Sequence, residues 1–90
     1  MNEIKSLEAL LNDRKANPVE GSYTNSLLND REELVKKVGE ESIEVILAAL
    51  QQGRDRLISE AADLVYHLSV LLVANDVSWE DIEAELASRK

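Results

Sequence analysis

The sequence predicts an all-α protein, an antiparallel helical hairpin completed into a helix bundle by dimerisation. Three observations predict it. Apolar residues recur every three or four positions along most of the chain, and no segment alternates as a strand does. Only three glycines and one proline interrupt a composition rich in Leu, Ala and Glu, which favour helix. The segment 55–75 is apolar nearly all round and so needs cover on nearly every side. A chain with so few helices cannot supply that cover alone. Ninety residues suit a single domain over 1–90, and a domain this small gains from self-association.

The first helix is expected over Asn2–Ala16, where Ile4, Leu7, Leu10 and Leu11 share helical spacing, and it ends at Asn17-Pro18. A short helix follows with Ser22 as its cap. Asp30 with Glu33 reads as a capping box that opens a long helix to about Gln52, and Gly53 closes it. Asp55 is expected to cap the next helix, which runs to about Asn75. Leu57, Ala61, Leu64, Val65, Leu68 and Leu72 make one apolar stripe, and Val70, Val73 and Tyr66 lie near the opposite side. Ser78 with Asp81 caps a last helix to about Ser88, and Trp79 reads as a packing anchor.

Charge and composition exclude several classes of function. The net charge is −8, from 10 basic and 18 acidic residues, which argues against non-specific nucleic-acid binding. With no cysteine there is neither a disulfide nor a thiolate metal site, as fits a cytoplasmic protein. The N-terminus lacks the pattern of a signal peptide, and the longest apolar run, about Leu64–Ala74, falls short of the ~20 residues that cross a bilayer. No membrane role is expected.

Two acidic clusters lie within the apolar patterns of the two long helices: Glu40-Glu41 with Glu44, and Glu60 with Asp63. On a helix Glu41 and Glu44 are roughly 60° apart and Glu40 and Glu44 roughly 40°. Glu41 and Glu44 form the better inward pair, with Glu40 further round. Folded about Gly53, the hairpin sets these acids against Glu60 and Asp63, at similar distances from the turn. Grouped carboxylates repel unless a cation sits among them, and their hard oxygens suit Mg²⁺ or Mn²⁺. The plainer alternative is a set of solvated helix faces in which Lys37 pairs with Glu41.

The spacing Glu40-Glu41-x-x-Glu44 followed by Glu60-x-x-Asp63 resembles the signature of the all-α, MazG-like nucleotide pyrophosphohydrolases. Three further segments narrow the resemblance: Pro18-Val19-Glu20-Gly21-Ser22-Tyr23-Thr24, Lys36-Lys37-Val38-Gly39-Glu40-Glu41, and Glu60-Ala61-Ala62-Asp63-Leu64-Val65-Tyr66-His67-Leu68. Together they are similar to the phosphoribosyl-ATP pyrophosphohydrolases of histidine biosynthesis. The sequence departs from that pattern at Asn29-Asp30-Arg31, where many relatives carry glycine, and at Ser42, where alanine is usual; neither is an expected ligand.

The resemblance implies hydrolysis of phosphoribosyl-ATP to phosphoribosyl-AMP and pyrophosphate with Mg²⁺. It implies Glu41, Glu44, Glu60 and Asp63 as metal ligands. Glu40 is a candidate for orienting water, and the general base lies among these acids, with Glu40 and Glu44 the catalytic candidates. Lys36 and Lys37 are candidates for phosphate, Ser22, Tyr23 and Thr24 for phosphate or ribose, and His67 for contacting substrate or orienting Asp63. Arg54 and Arg56 read as solvated turn residues within reach of substrate. Two other classes stay open: a general (d)NTP pyrophosphatase with the same chemistry, and a non-enzymatic acidic helical module. A ferritin-type di-metal bundle is excluded because Asp63 stands where its Glu-x-x-His repeat needs histidine.

Overall fold

A computed structural model describes residues 2–90. Helix α1 (Asn2–Ala16) ends before Pro18, whose ring disfavours helical geometry at Asn17. The next helix, α2 (Tyr23–Leu28), is capped by Ser22, whose hydroxyl accepts from the Asn25 N–H. The connection between them hangs on one buried amide. The Val19 N–H donates to Asn25 Oδ1 at 2.8 Å, and Asn25 Nδ2 donates to the Arg14 carbonyl at 2.8 Å.

Helix α3 (Arg31–Leu47) starts at Asp30, whose carboxylate accepts from the Glu33 N–H at 3.1 Å. Only this half of the expected capping box forms, because the Asp30 N–H donates to the Leu27 carbonyl instead. The helix does not continue as α to Gln52. It widens into a π-helical turn over Ala48–Gln52. Gly53 then reverses the chain with φ 83° and ψ 176°, a region open essentially to glycine alone.

Because one residue makes the reversal, helix α4 (Arg54–Ala74) begins at Arg54 and is not capped by Asp55. Asp55 lies in the first turn instead, where a negative charge suits the helix N-terminus. The other end of α4 closes in a Schellman turn. The Val77 N–H donates to Leu72 O and the Asp76 N–H to Val73 O, with Asp76 at φ 57° where glycine is usual. Lys15 secures this turn by reaching both Val73 O, at 3.0 Å, and Asp76 Oδ1, at 2.7 Å. Helix α5 (Trp79–Ser88) has both halves of the Ser78–Asp81 capping box. Trp79 anchors it, the backbone N–H donating to Glu8 Oε2 and Nε1 to Ser69 Oγ.

Leu11, Leu27, Leu34, Val70 and Val73 form the core, joining α1, α2, the start of α3 and the end of α4. Helix α4 turns one face into this core. Its fully buried residues are Glu60, His67, Ser69, Val70 and Val73. The apolar stripe of Leu57, Ala61, Leu64, Val65, Leu68 and Leu72 is only partly buried within one chain. Periodicity located the apolar face correctly but could not tell which neighbour covers it. By length and composition alone α4 matches a membrane span, yet it packs against α1, α2 and α3 as the core helix.

Helix α3 and its π turn carry a second outward stripe. Val35 is 51% exposed, Ile43 58%, Ile46 57% and Leu50 74%. Gly39 falls on the same stripe, and a Cβ there would meet nothing within 4 Å. The radius of gyration is 14.0 Å, against about 12 Å for a compact domain of this length. The hairpin therefore projects an apolar half beyond its own core.

Replacing Gly53 with alanine is expected to destabilise by about 1–3 kcal/mol through backbone strain alone, since no atom lies within 4 Å of the added Cβ. Urea unfolding at fixed protein concentration reads this, and an unchanged midpoint contradicts the assigned turn. Asp81 is held below the ordinary aspartate value by the backbone and side-chain hydrogen bonds of Ser78. Its contribution is complete above the unfolded-state pKa and is lost as the pH falls through the lower folded-state value. The Tm difference between wild type and Asp81→Asn is expected at neutral pH and should vanish in acid; a constant difference contradicts it.

Candidate metal and substrate site

The hairpin brings acids from α3 and α4 together. One carboxylate oxygen from each of Glu41, Glu60 and Asp63 lies within 4.8 Å of the other two. Glu60 is buried, Glu41 partly buried and Asp63 exposed, so the group opens to solvent on the Asp63 side. Six oxygens around Mg²⁺ at about 2.1 Å lie about 3–4 Å apart, a spacing close to that of these three carboxylate oxygens. The donor set is all hard oxygen, as such an ion requires.

Glu44 is not among the converging three. It lines an adjoining groove of about 390 Å³ with Lys37, Glu40, Glu41 and Ile43. Glu40 is exposed. The Lys37 ammonium sits 3.8 Å from Glu40 and 3.7 Å from Glu41, close enough for attraction but too far for a hydrogen bond. Desolvation alone would lower the Lys37 pKa, but Tyr23, Glu40, Glu41 and Glu33 outweigh it and hold the ammonium above the ordinary lysine value. Lys36 is exposed and forms no ion pair among the described residues.

The Ser22-Tyr23-Thr24 segment docks on α4 beside the acids. Tyr23 Oη and His67 Nε2 are 2.9 Å apart, and His67 Nδ1 is 2.8 Å from the Asp63 carbonyl. A carbonyl only accepts, so Nδ1 carries hydrogen; in the neutral ring Nε2 is then the acceptor and the Tyr23 hydroxyl donates. Thr24 Oγ1 pairs with the Tyr66 hydroxyl. The Tyr23 ring stacks on Tyr66 at 6.4 Å, and both meet His67 edge-on. Desolvation raises the Tyr23 phenol above its ordinary value, against the pull of Lys37. Tyr23, Thr24 and His67 are thus bonded to one another or to α4, and the Ser22 hydroxyl to its own helix.

Two residues carry more than the sequence suggested. Asn25 fixes the loop that presents Ser22 and Tyr23, and nothing in its local spacing marks it. Arg56 read as a solvated turn residue, yet its Nη2 donates to Glu60 Oε1 at 2.8 Å. The i, i+4 placement of a base before an acid was the available signal.

The phosphoribosyl-ATP pyrophosphohydrolase family matches residues 4–90. A phosphoribosyl-ATP pyrophosphatase of Limosilactobacillus fermentum is 47% identical, covering 100% of this chain and 86% of the relative. One from Methanocella arvoryzae is also 47% identical, covering 97% and 95%. The histidine biosynthesis bifunctional protein HisIE of Pyrococcus furiosus is 49% identical over 97% of this chain but only 41% of its own length. A match along nearly the whole chain, joined to an all-helical fold that gathers the acids of its two long helices, places this chain in the phosphoribosyl-ATP pyrophosphohydrolase family.

Proposed function

We propose that this protein hydrolyses phosphoribosyl-ATP with a divalent cation, Mg²⁺ by preference and Mn²⁺ as a substitute, bound by Glu41, Glu60 and Asp63. The observation that carries the metal is the convergence of those three carboxylates within 4.8 Å in a member of this family. One water is consumed, the anhydride bond between the first phosphate and the other two breaks, and phosphoribosyl-AMP and pyrophosphate leave. The bound cation would supply charge neutralisation for the phosphates and polarise an attacking water.

The chain's own residues do the rest. Glu41, Glu60 and Asp63 hold the cation, and Glu44 completes the set by turning in from the adjoining groove. Glu40, exposed at the rim, orients water, and the base is one of these acids. Lys37 faces the same groove with its ammonium held charged, and takes a phosphate as it leaves the carboxylates. Lys36 offers a more distant positive charge. Ser22, Tyr23 and Thr24 take a phosphate or ribose through hydroxyls that exchange a protein partner for a substrate one, and His67 backs them through its ring nitrogens.

The whole chain, 1–90, acts as one domain. It works in the cytoplasm, where its nucleotide substrate is found. It also works as a homodimer or a higher homo-oligomer. The stripe Val35, Ile43, Ile46 and Leu50 and the outer face of α4 support this, because apolar faces of that extent mark interfaces.

Pyrophosphate release from phosphoribosyl-ATP is expected with Mg²⁺ and not after chelation, and ATP and dNTPs should be poor substrates. Turnover of dNTPs instead moves the protein to the general nucleotide pyrophosphatases; silence on every substrate from folded protein favours the interaction module. Glu41→Gln and Asp63→Asn should each lose more than the ~10–100-fold that a merely supporting residue costs. Near wild-type turnover with saturating Mg²⁺ overturns the ligand assignment. For the dimer, the double variant Ile43→Glu with Ile46→Glu is expected to sediment as a monomer where wild type sediments as a dimer. A wild-type monomer at micromolar concentration rejects the interface.

A further inference from the structure

Glu60 is the most deeply buried acid of the cluster, with 8% of its side chain exposed, and Arg56 touches it. The contact is monodentate: Nη2 of Arg56 meets Oε1 of Glu60 at 2.8 Å. The corresponding pair on α3, Lys37 with Glu41, is 3.7 Å apart and fixes nothing. Arg56 thus pins one oxygen of a buried carboxylate and leaves the other unclaimed by it.

We propose that Arg56 is a positioning residue for the cation site, holding Glu60 Oε1 so that Oε2 is presented to the cation shared with Glu41 and Asp63. This rests on the metal-dependent function proposed above. Two effects of Arg56 oppose one another. Its positive charge repels a cation, and its hydrogen bond orders the ligand. The Arg56 side chain is 56% exposed, so water and salt screen its charge. The hydrogen bond acts on a buried carboxylate whose freedom it removes, and water does not weaken that ordering in the same way. Ordering therefore outweighs repulsion, as it does for partners that hydrogen-bond ligating carboxylates elsewhere. Arg56 also lies one helical turn from Glu60 on the same helix, so the geometry survives small movements between α3 and α4.

Mn²⁺ binding to the full chain without substrate, followed by calorimetry at constant ionic strength, separates these effects by sign. Wild type is expected to bind saturably and Glu60→Gln to lose binding. Arg56→Gln should bind about 10-fold more weakly, with helical content and sedimentation unchanged. Arg56→Lys keeps the charge without the planar guanidinium and should fall between the two. Wild-type or tighter binding by Arg56→Gln overturns the proposal and makes Arg56 a surface pair or a competing counter-ion. Lysine at wild-type affinity with glutamine tighter identifies the counter-ion. A wild type that binds no Mn²⁺ overturns the metal site itself, an outcome distinct from any ordering among the Arg56 variants.

Discussion

Three carboxylates cannot sit within 4.8 Å of one another, one of them buried, without compensation. Everything near the hairpin answers that constraint. Arg56 bonds Glu60 and Lys37 draws toward Glu40 and Glu41, so each long helix carries a base one turn before its acid. Asp63 stays in water, where its charge costs least. The core that makes such crowding tolerable is placed elsewhere, between α1, α2 and the far ends of α3 and α4. The fold thus separates the part that stabilises from the part that is electrostatically unfavourable, and one rigid hairpin connects them.

The role of α2 follows from the same division. It is too short to be stable alone. It is held from behind by Asn25 and in front by Tyr23 on His67 and Thr24 on Tyr66. Because His67 in turn bonds the Asp63 carbonyl, the hydroxyl-bearing segment and the acid-bearing helix are one connected unit. Any displacement of α2 is therefore felt one helical turn from an expected ligand.

Much of this was legible in the sequence. Ser22, Asp30 and Ser78 marked helix starts because short polar side chains satisfy free backbone amides locally. The meeting of Glu41 with Glu60 and Asp63 was legible because Glu60 and Asp63, three apart, share a face and Gly53 fixes the fold-back, whereas Glu44, three from Glu41, stays in the adjoining groove. What escaped depended on neighbours. Asp55 failed as a cap because the reversal is completed at Gly53, a matter of ψ rather than of residue type. The period marked the stripe Leu57–Leu72, but it could not show that polar His67 and Ser69 also turn inward by finding partners there. Spacing cannot show whether Tyr23 or Thr24 meets substrate or another side chain. Each can do either, and the packing of α2 decides.

The π turn over Ala48–Gln52 has a consequence for how this chain tolerates changes of length. A π turn accommodates one residue more than an α turn, and each residue rotates a helix by roughly 100°. A one-residue deletion there can be absorbed as the turn closes to an ordinary α turn, whereas one in the α-helical stretches on either side would rotate Glu41, or Glu60 and Asp63, away from the shared face. Residues 17–22 connect helices without setting such a phase, so an added residue can be absorbed as slack. Length variation among chains of this fold should accordingly accumulate before α2 and at the π turn, and be nearly absent from the α-helical stretches between Glu41 and Glu60.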